Sequence, residues 1–154
     1  MRVTHSKLFV FLLLSVVAGA IGQNFEKTTP PGITSERILS VARDSLGYMW
    51  LGTDEGLNRF DGIRITNYRS NVFDTTTISS NRVWDIFVDN KNNVWVLNDR
   101  GVDLYNRTNN DFIRFKTNSR PLHLLDIGDS LIVTTRQSGL IVIDKKTMTT
   151  SLFS

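Results

Sequence analysis

Neighbouring carboxylates can share general acid and base work, which makes WLGTDEGLNRFDG, Trp50 to Gly62, the first place to look for chemistry, through Asp54, Glu55 and Asp61. The rest of the chain argues against that use. Asp54 returns as Asp99 at the same turn, and Asp61 returns as Asn106 and Asp144. A reaction needs one set of acids, whereas every tight turn gains from an Asx side chain bonded to nearby amides. DNKNN, Asp89 to Asn93, places oxygens at alternating positions, faintly as a calcium loop does. Lys91, however, stands where a ligand oxygen should be, and no bidentate Glu follows, so the stretch reads as a hairpin turn. Cysteine is absent, which excludes disulfides, thiol nucleophiles and thiolate metal sites. His5 falls in an N-terminal leader, leaving His123 within PLHLLDI, and a lone histidine cannot make a typical zinc site. It reads as an ordinary strand residue.

Aromatic rings are the other candidates, since apolar sugar faces stack on them. Trp50 and Trp95 recur at one spacing and read as core; Trp84, whose counterpart is Leu39, starts an apolar strand and also reads as packing. Asn106-Arg107-Thr108 fits a glycosylation sequon that matters only in a eukaryotic secretory route. The expectation is therefore no catalytic residue, no metal and no cofactor, with the ligand-binding residues left unassigned.

These residues sit in a chain with a distinct start. Arg2 and Lys7 precede an unbroken apolar and small-residue run, Leu8 to Gly22, with small residues spaced for cleavage after Ala20 or Gly22. That is the pattern of a signal peptide, and the run is shorter than the roughly 20 residues of a spanning helix. Residues 1–22 are read as a cleaved signal peptide, and the protein as exported. The mature chain keeps 16 basic against 15 acidic residues, with no basic stripe, so a nucleic-acid partner is not expected.

Sliding the chain along itself exposes its organisation. Trp50 maps onto Trp95, Gly56 onto Gly101, Asp44 onto Asp89, Arg37 onto Arg82 and Phe60 onto Tyr105, all at an offset of 45. No gap is needed in this register from Ile33 to Arg69, which lands on Arg114. A degraded third copy places Gly139-Leu140 38 residues after Gly101-Val102, with Ile143-Asp144 on Tyr105-Asn106, Phe153 on Phe115 and Val133 in the tryptophan position. Its shortening is assigned to the GDS turn, Gly128 to Ser130, against NKNN. Each copy reads as four short strands, rich in β-branched and aromatic residues and bounded by Gly, Asn and Asp. The expected fold is all-β: about three four-stranded antiparallel β-propeller blades of an incomplete propeller. The domains are read as a linker at 23–32, blade 1 at 33–77, blade 2 at 78–120 and a degenerate blade 3 at 121–154.

The first copy carries a family pattern in Ile38, Asp44, Gly47, Trp50, Leu51, Gly52, Thr53, Gly56, Leu57, Asn58, Arg59, Phe60, Asp61, Gly62 and Tyr68. It resembles the two-component regulator propeller repeat, found in the periplasmic sensor region of hybrid two-component systems of gut Bacteroidetes. The second copy departs at Asn92, Leu97, Asn98 and Arg107, which replace Gly47, Gly52, Thr53 and Gly62. The resemblance implies a periplasmic sensor of oligosaccharides that signals to a histidine kinase outside this chain. It also implies membrane attachment only through downstream segments, further blades or a second chain as partners, and a homodimer in a full sensor. The alternatives are a structural or protein-interaction propeller without a small ligand and, third, a propeller hydrolase or lyase fragment.

Overall fold

The computed structural model describes residues 31–153. The expected signal peptide and most of the expected 23–32 linker lie outside them. Twelve strands form three four-stranded antiparallel sheets, each a simple meander. The first holds β1 (Ile38–Arg43), β2 (Met49–Thr53), β3 (Leu57–Phe60) and β4 (Ile65–Tyr68). The second holds β5 (Val83–Val88), β6 (Val94–Asn98), β7 (Gly101–Asn106) and β8 (Asp111–Lys116). The third holds β9 (Pro121–Asp126), β10 (Ser130–Thr135), β11 (Leu140–Asp144) and β12 (Thr149–Phe153).

The sheets stack face to face, and in the middle sheet period-two alternation sends a strand's apolar residues to two neighbours. In VWVLN, Val94 and Val96 pack toward the first sheet while Trp95 and Leu97 pack toward the third, so the whole strand is buried. The first interface gathers Trp50, Leu57, Tyr68, Ile86 and Tyr105; the second gathers Trp95, Val102, Phe115, Leu131 and Val133. Burying a side chain of this size is worth about 1.5–3 kcal/mol. These interfaces, rather than any sheet alone, hold the fold.

One turn device repeats. Asp44 Oδ1 accepts from the amides of Leu46 and Tyr48, and Oδ2 accepts the Trp50 indole N–H at 3.0 Å. Asp89 does the same for Lys91, Asn93 and, at 3.1 Å, Trp95. The six-residue spacing from Asp to Trp is thus a buried hydrogen bond, and the Asp89 oxygens of DNKNN are spent on the turn. Neighbouring sheets add a cation. Arg107 reaches Asp44 at 2.8 Å, and Lys145 reaches Asp89 at 3.2 Å and Asp126 at 2.7 Å. Burial works to raise Asp44 and Asp89, but indole, side-chain and backbone donors together with these cations outweigh it and hold both below the ordinary carboxylate range.

The ungapped register fails in the outer strands. Leu57 pairs with Tyr68, but its counterpart Val102 pairs with Phe115, two residues beyond Ile113. The longer β7–β8 turn brings Asn110, at φ 57°, over the interface, where its Oδ1 accepts from the hydroxyls of Tyr68 and Tyr105. Arg69 therefore corresponds to Lys116, not Arg114. Arg114 instead donates to Thr77 O and Asp74 O, pinning the long connection Arg69–Arg82. The third copy is shorter chiefly because Thr117–Arg120 replaces that connection; the GDS turn accounts for little of it. The tryptophan position of the third sheet is Ile132, since Trp95 pairs with Leu104 and Ile132 with Val142, the residue matching Leu104. Val133 faces the preceding sheet instead.

Candidate functional site

The carboxylates of the opening stretch do not converge. Asp54 lies in the β2–β3 turn and Asp61 in the β3–β4 turn, at opposite ends of Leu57–Phe60, a separation of roughly 13 Å at strand rise. Asp61 is the Asx turn residue expected, accepting from the amides of Ile63 and Arg64, and those two bonds hold its carboxyl low. Asp54 is not. The residue before it does the capping: Thr53 Oγ1 accepts from Glu55 N and donates to Gly56 O. Asn98 and Thr135 cap the matching turns through Arg100 N and Ser138 N. A hydroxyl or amide one residue earlier reaches the turn amides, while Asp54 points to Arg37 at 4.0 Å. His123 is exposed on β9, apart from any acid cluster; among the described residues no three His, Cys, Asp or Glu gather around a point.

A different site emerges where the first strand of each sheet begins. Arg37, Arg82 and Arg120 each immediately precede a first strand, so the three are equivalent positions of the repeat. Two residues on, pairing slips by one: Leu39, Trp84 and Leu122 are bulged out of the ladders with β2, β6 and β10. A bulge re-aims the side chain it carries and often marks a functional edge. Here it turns Trp84, half-buried, back toward the arginines. The Arg82 guanidinium lies 4.3 Å from the Trp84 ring centroid, and that of Arg120, from the next sheet, lies over the same ring. Such contacts are worth about 0.5–2 kcal/mol each.

The hydrogen bonding here is incomplete. Arg82 Nε, Arg120 Nε and Trp84 Nε1 are buried without a partner among the described residues. Arg120 has Asp99 at 3.8 Å, and Arg82 has no ion pair among the described residues. Because Val83 pairs with Asn98 and Pro121 with Thr135, the turns carrying Arg100 and Arg136 lie at this same end. Four arginines of the second and third sheets are thus carried at this one end, with Asp99 beside Arg120 and Asp103 bonded to Ser79 and Asn98. A cleft of about 860 Å3 lies beside β8 and is lined by Val72, Thr76, Arg100, Phe112, Arg114 and Lys116. Its central Arg114 is occupied in holding the connection.

The repeat offset aligns Arg37 with Arg82 but gives neither a role, and the offset of 38 that relates the glycines reaches the third arginine. The bulge has no sequence signal. It places Trp84 in a cationic edge rather than in the packed core expected for it.

Three stacked four-stranded meanders define the class, a β-propeller segment. Residues 32–55 and 77–100 match the family described as two component regulator propeller. A histidine kinase, P4, of Formosa agariphila is 38% identical over 73 residues, covering 47% of this chain and 5% of the kinase. An extracellular domain from B. thetaiotaomicron, BT4673, described as that of a one component system, is 26% identical with a TM-score of 0.63 over 73% of this chain and 17% of its own. A second structure of it, described as that of a hybrid two component system, is 25% identical with a TM-score of 0.62. The extracellular domain of another system described as hybrid two component, BT3049, is 16% identical at a TM-score of 0.50 and is alike in fold. The chain spans 5% of the curated relative and 25% or less of these solved domains.

Proposed function

We propose that this chain is a sensing segment of a two-component regulator: exported propeller blades that bind an oligosaccharide and bias a histidine kinase encoded outside them. The carrying observation is the pair of regulator repeats within blades that resemble extracellular domains of such systems. The basic start and apolar run of residues 1–22 support export to the periplasm. Binding would act by differential affinity for two arrangements of the full sensor, the only way a ligand shifts such an equilibrium. This role requires no reaction in the blades, and the segment is read as non-enzymatic. Calorimetric titration of the chain against a panel of oligosaccharides tests it. Saturable heats for one class are expected; a folded chain that binds none of them would refute the reading.

One observation favours a second reading, docking of protein on the far face of the third sheet. Leu125 pairs with Ile132 and Ile132 with Val142, forming an apolar row, and Leu125 and Phe153 are 59% and 64% exposed. A further blade or a second copy of the chain would cover it, as the second sheet is covered. Sedimentation across a concentration series separates the two: association without saccharide binding favours docking alone.

A further inference from the structure

Resting on the sensor reading above, we infer that the saccharide carries an oxyanion, a carboxylate or a sulfate, and that Arg82 and Arg120 grip it at the Trp84 edge. Three observations converge. The first is recurrence without a shared structural task. Arginine stands before every first strand, yet Arg37 leans toward Asp54 of its own sheet, Arg120 toward Asp99 of the preceding one, and Arg82 toward no carboxylate among the described residues. A residue kept for an ion pair would have kept the pair too.

The second is the set of unmatched donors. Arg82 Nε, Arg120 Nε and Trp84 Nε1 are buried N–H groups on side chains that touch one another, and none makes a hydrogen bond among the described residues, Arg120 Nε having only Asp99 Oδ1 at 3.8 Å. An unmade hydrogen bond of this kind costs roughly 1–3 kcal/mol, more for a charged group. Three of them side by side fit a site completed by an acceptor from outside, and a planar guanidinium fork matches a carboxylate or sulfate oxygen pair.

The third is electrostatic. Two like charges share one indole ring, with Arg100 and Arg136 on the adjoining turns; of the carboxylates at this end, Asp99 stands 3.8 Å from Arg120 and Asp103 is spent on Ser79 and Asn98. An anion relieves this repulsion, whereas a neutral sugar does not. Trp84 serves here to position the two guanidiniums. With both lying over it, the ring is not an open sugar platform.

Fluorescence and calorimetry on the full chain test the proposal directly. Trp50 and Trp95 are sealed in the interfaces, so Trp84 is the tryptophan whose emission an edge ligand should change. Three size-matched oligosaccharides serve as probes: one neutral, one ending in a uronic acid and one sulfated, with inorganic sulfate as a control for the bare anion. One charged saccharide is expected to bind at least tenfold more tightly than the neutral one, to weaken as salt is raised, and to alter Trp84 emission. Arg82→Gln and Arg120→Gln should each weaken it roughly ten- to a hundredfold, as loss of a charge-assisted bond does. Should a Gln variant melt early, Arg82→Lys, which keeps the charge and loses the fork, reports a smaller loss of the same kind. A neutral saccharide that binds as well as the charged ones, with both Gln variants unaffected, would overturn the anion inference and leave the sensor reading standing. Binding of none of the three saccharides to folded protein would sink both.

Discussion

Asp103 is the residue whose replacement should raise the stability of this protein. Its carboxylate is completely buried in β7; Oδ2 accepts from Ser79 N at 2.7 Å, Ser79 Oγ at 3.0 Å and Asn98 Nδ2 at 2.7 Å, but Oδ1 has no partner among the described residues. Burial therefore outweighs the donors and raises its pKa from 3.8 to about 6. An unfolded chain ionises this group near 3.8, so between pH 4 and 6 the folded chain holds the extra proton, and stability falls as pH rises across that window. Above pH 6 the full penalty applies, about 3 kcal/mol for a gap of about two units. The first sheet shows the remedy. Asn58, the counterpart of Asp103, accepts from Thr34 N at 2.9 Å and donates its amide to Thr34 Oγ1 and Leu51 O. Val96 lies opposite Asp103 as Leu51 lies opposite Asn58, so Asp103→Asn can donate to Val96 O where the carboxylate has only a bare oxygen. Thermal melts of the two proteins should differ by roughly 5–10 °C at pH 7.5 in favour of Asp103→Asn, and by little at pH 4. A variant that melts lower at pH 7.5, or a gap that does not change with pH, would refute this account of Asp103.

Other perturbations separate the remaining parts of the fold. Gly52→Ala puts a Cβ 2.7 Å from Val83 Cγ1 and 3.1 Å from Val83 O of the next sheet, so it should open the first interface and cost about 1–3 kcal/mol in denaturant melts. Lys145→Met leaves Asp89 and Asp126 without their shared cation and should cost about 2–4 kcal/mol at pH 7. Asp44 and Asp89 have lowered folded pKa values, so the stability they contribute is complete above pH 4 and lost as pH falls through those values. Combined with Asp103, this sets the expected optimum of the wild type near pH 4, which a series of melts from pH 3 to 8 would locate.

Local chemistry made much of the architecture legible in the chain. Trp50 and Trp95, Gly56 and Gly101, and Asp44 and Asp89 share one offset because each meets a local demand: a face to fill, a turn to close, amides to satisfy. Short alternating strands between Gly, Asn and Asp then allow little besides four-stranded meanders, and the repeat carries the family resemblance. Gly101 shows how strict such a demand is: its φ is 152°, and a Cβ at that position would collide with the carbonyl oxygen of Phe115. Asp54 misled because two adjacent polar residues can each cap a turn, and only the backbone direction selects Thr53. The outer register, Arg69 against Lys116, was invisible because the extra turn residues serve Asn110, whose partners Tyr68 and Tyr105 come from two sheets.

The arginine edge lies furthest from what sequence can express. Arg82 and Trp84 are neighbours in the chain, but Arg120 joins them only because the third sheet packs against the second and a bulge turns the indole toward both. Periodicity records which face a residue takes within its own strand. Which charges from different blades meet over one ring depends on how the sheets stack, and that the tertiary structure alone decides.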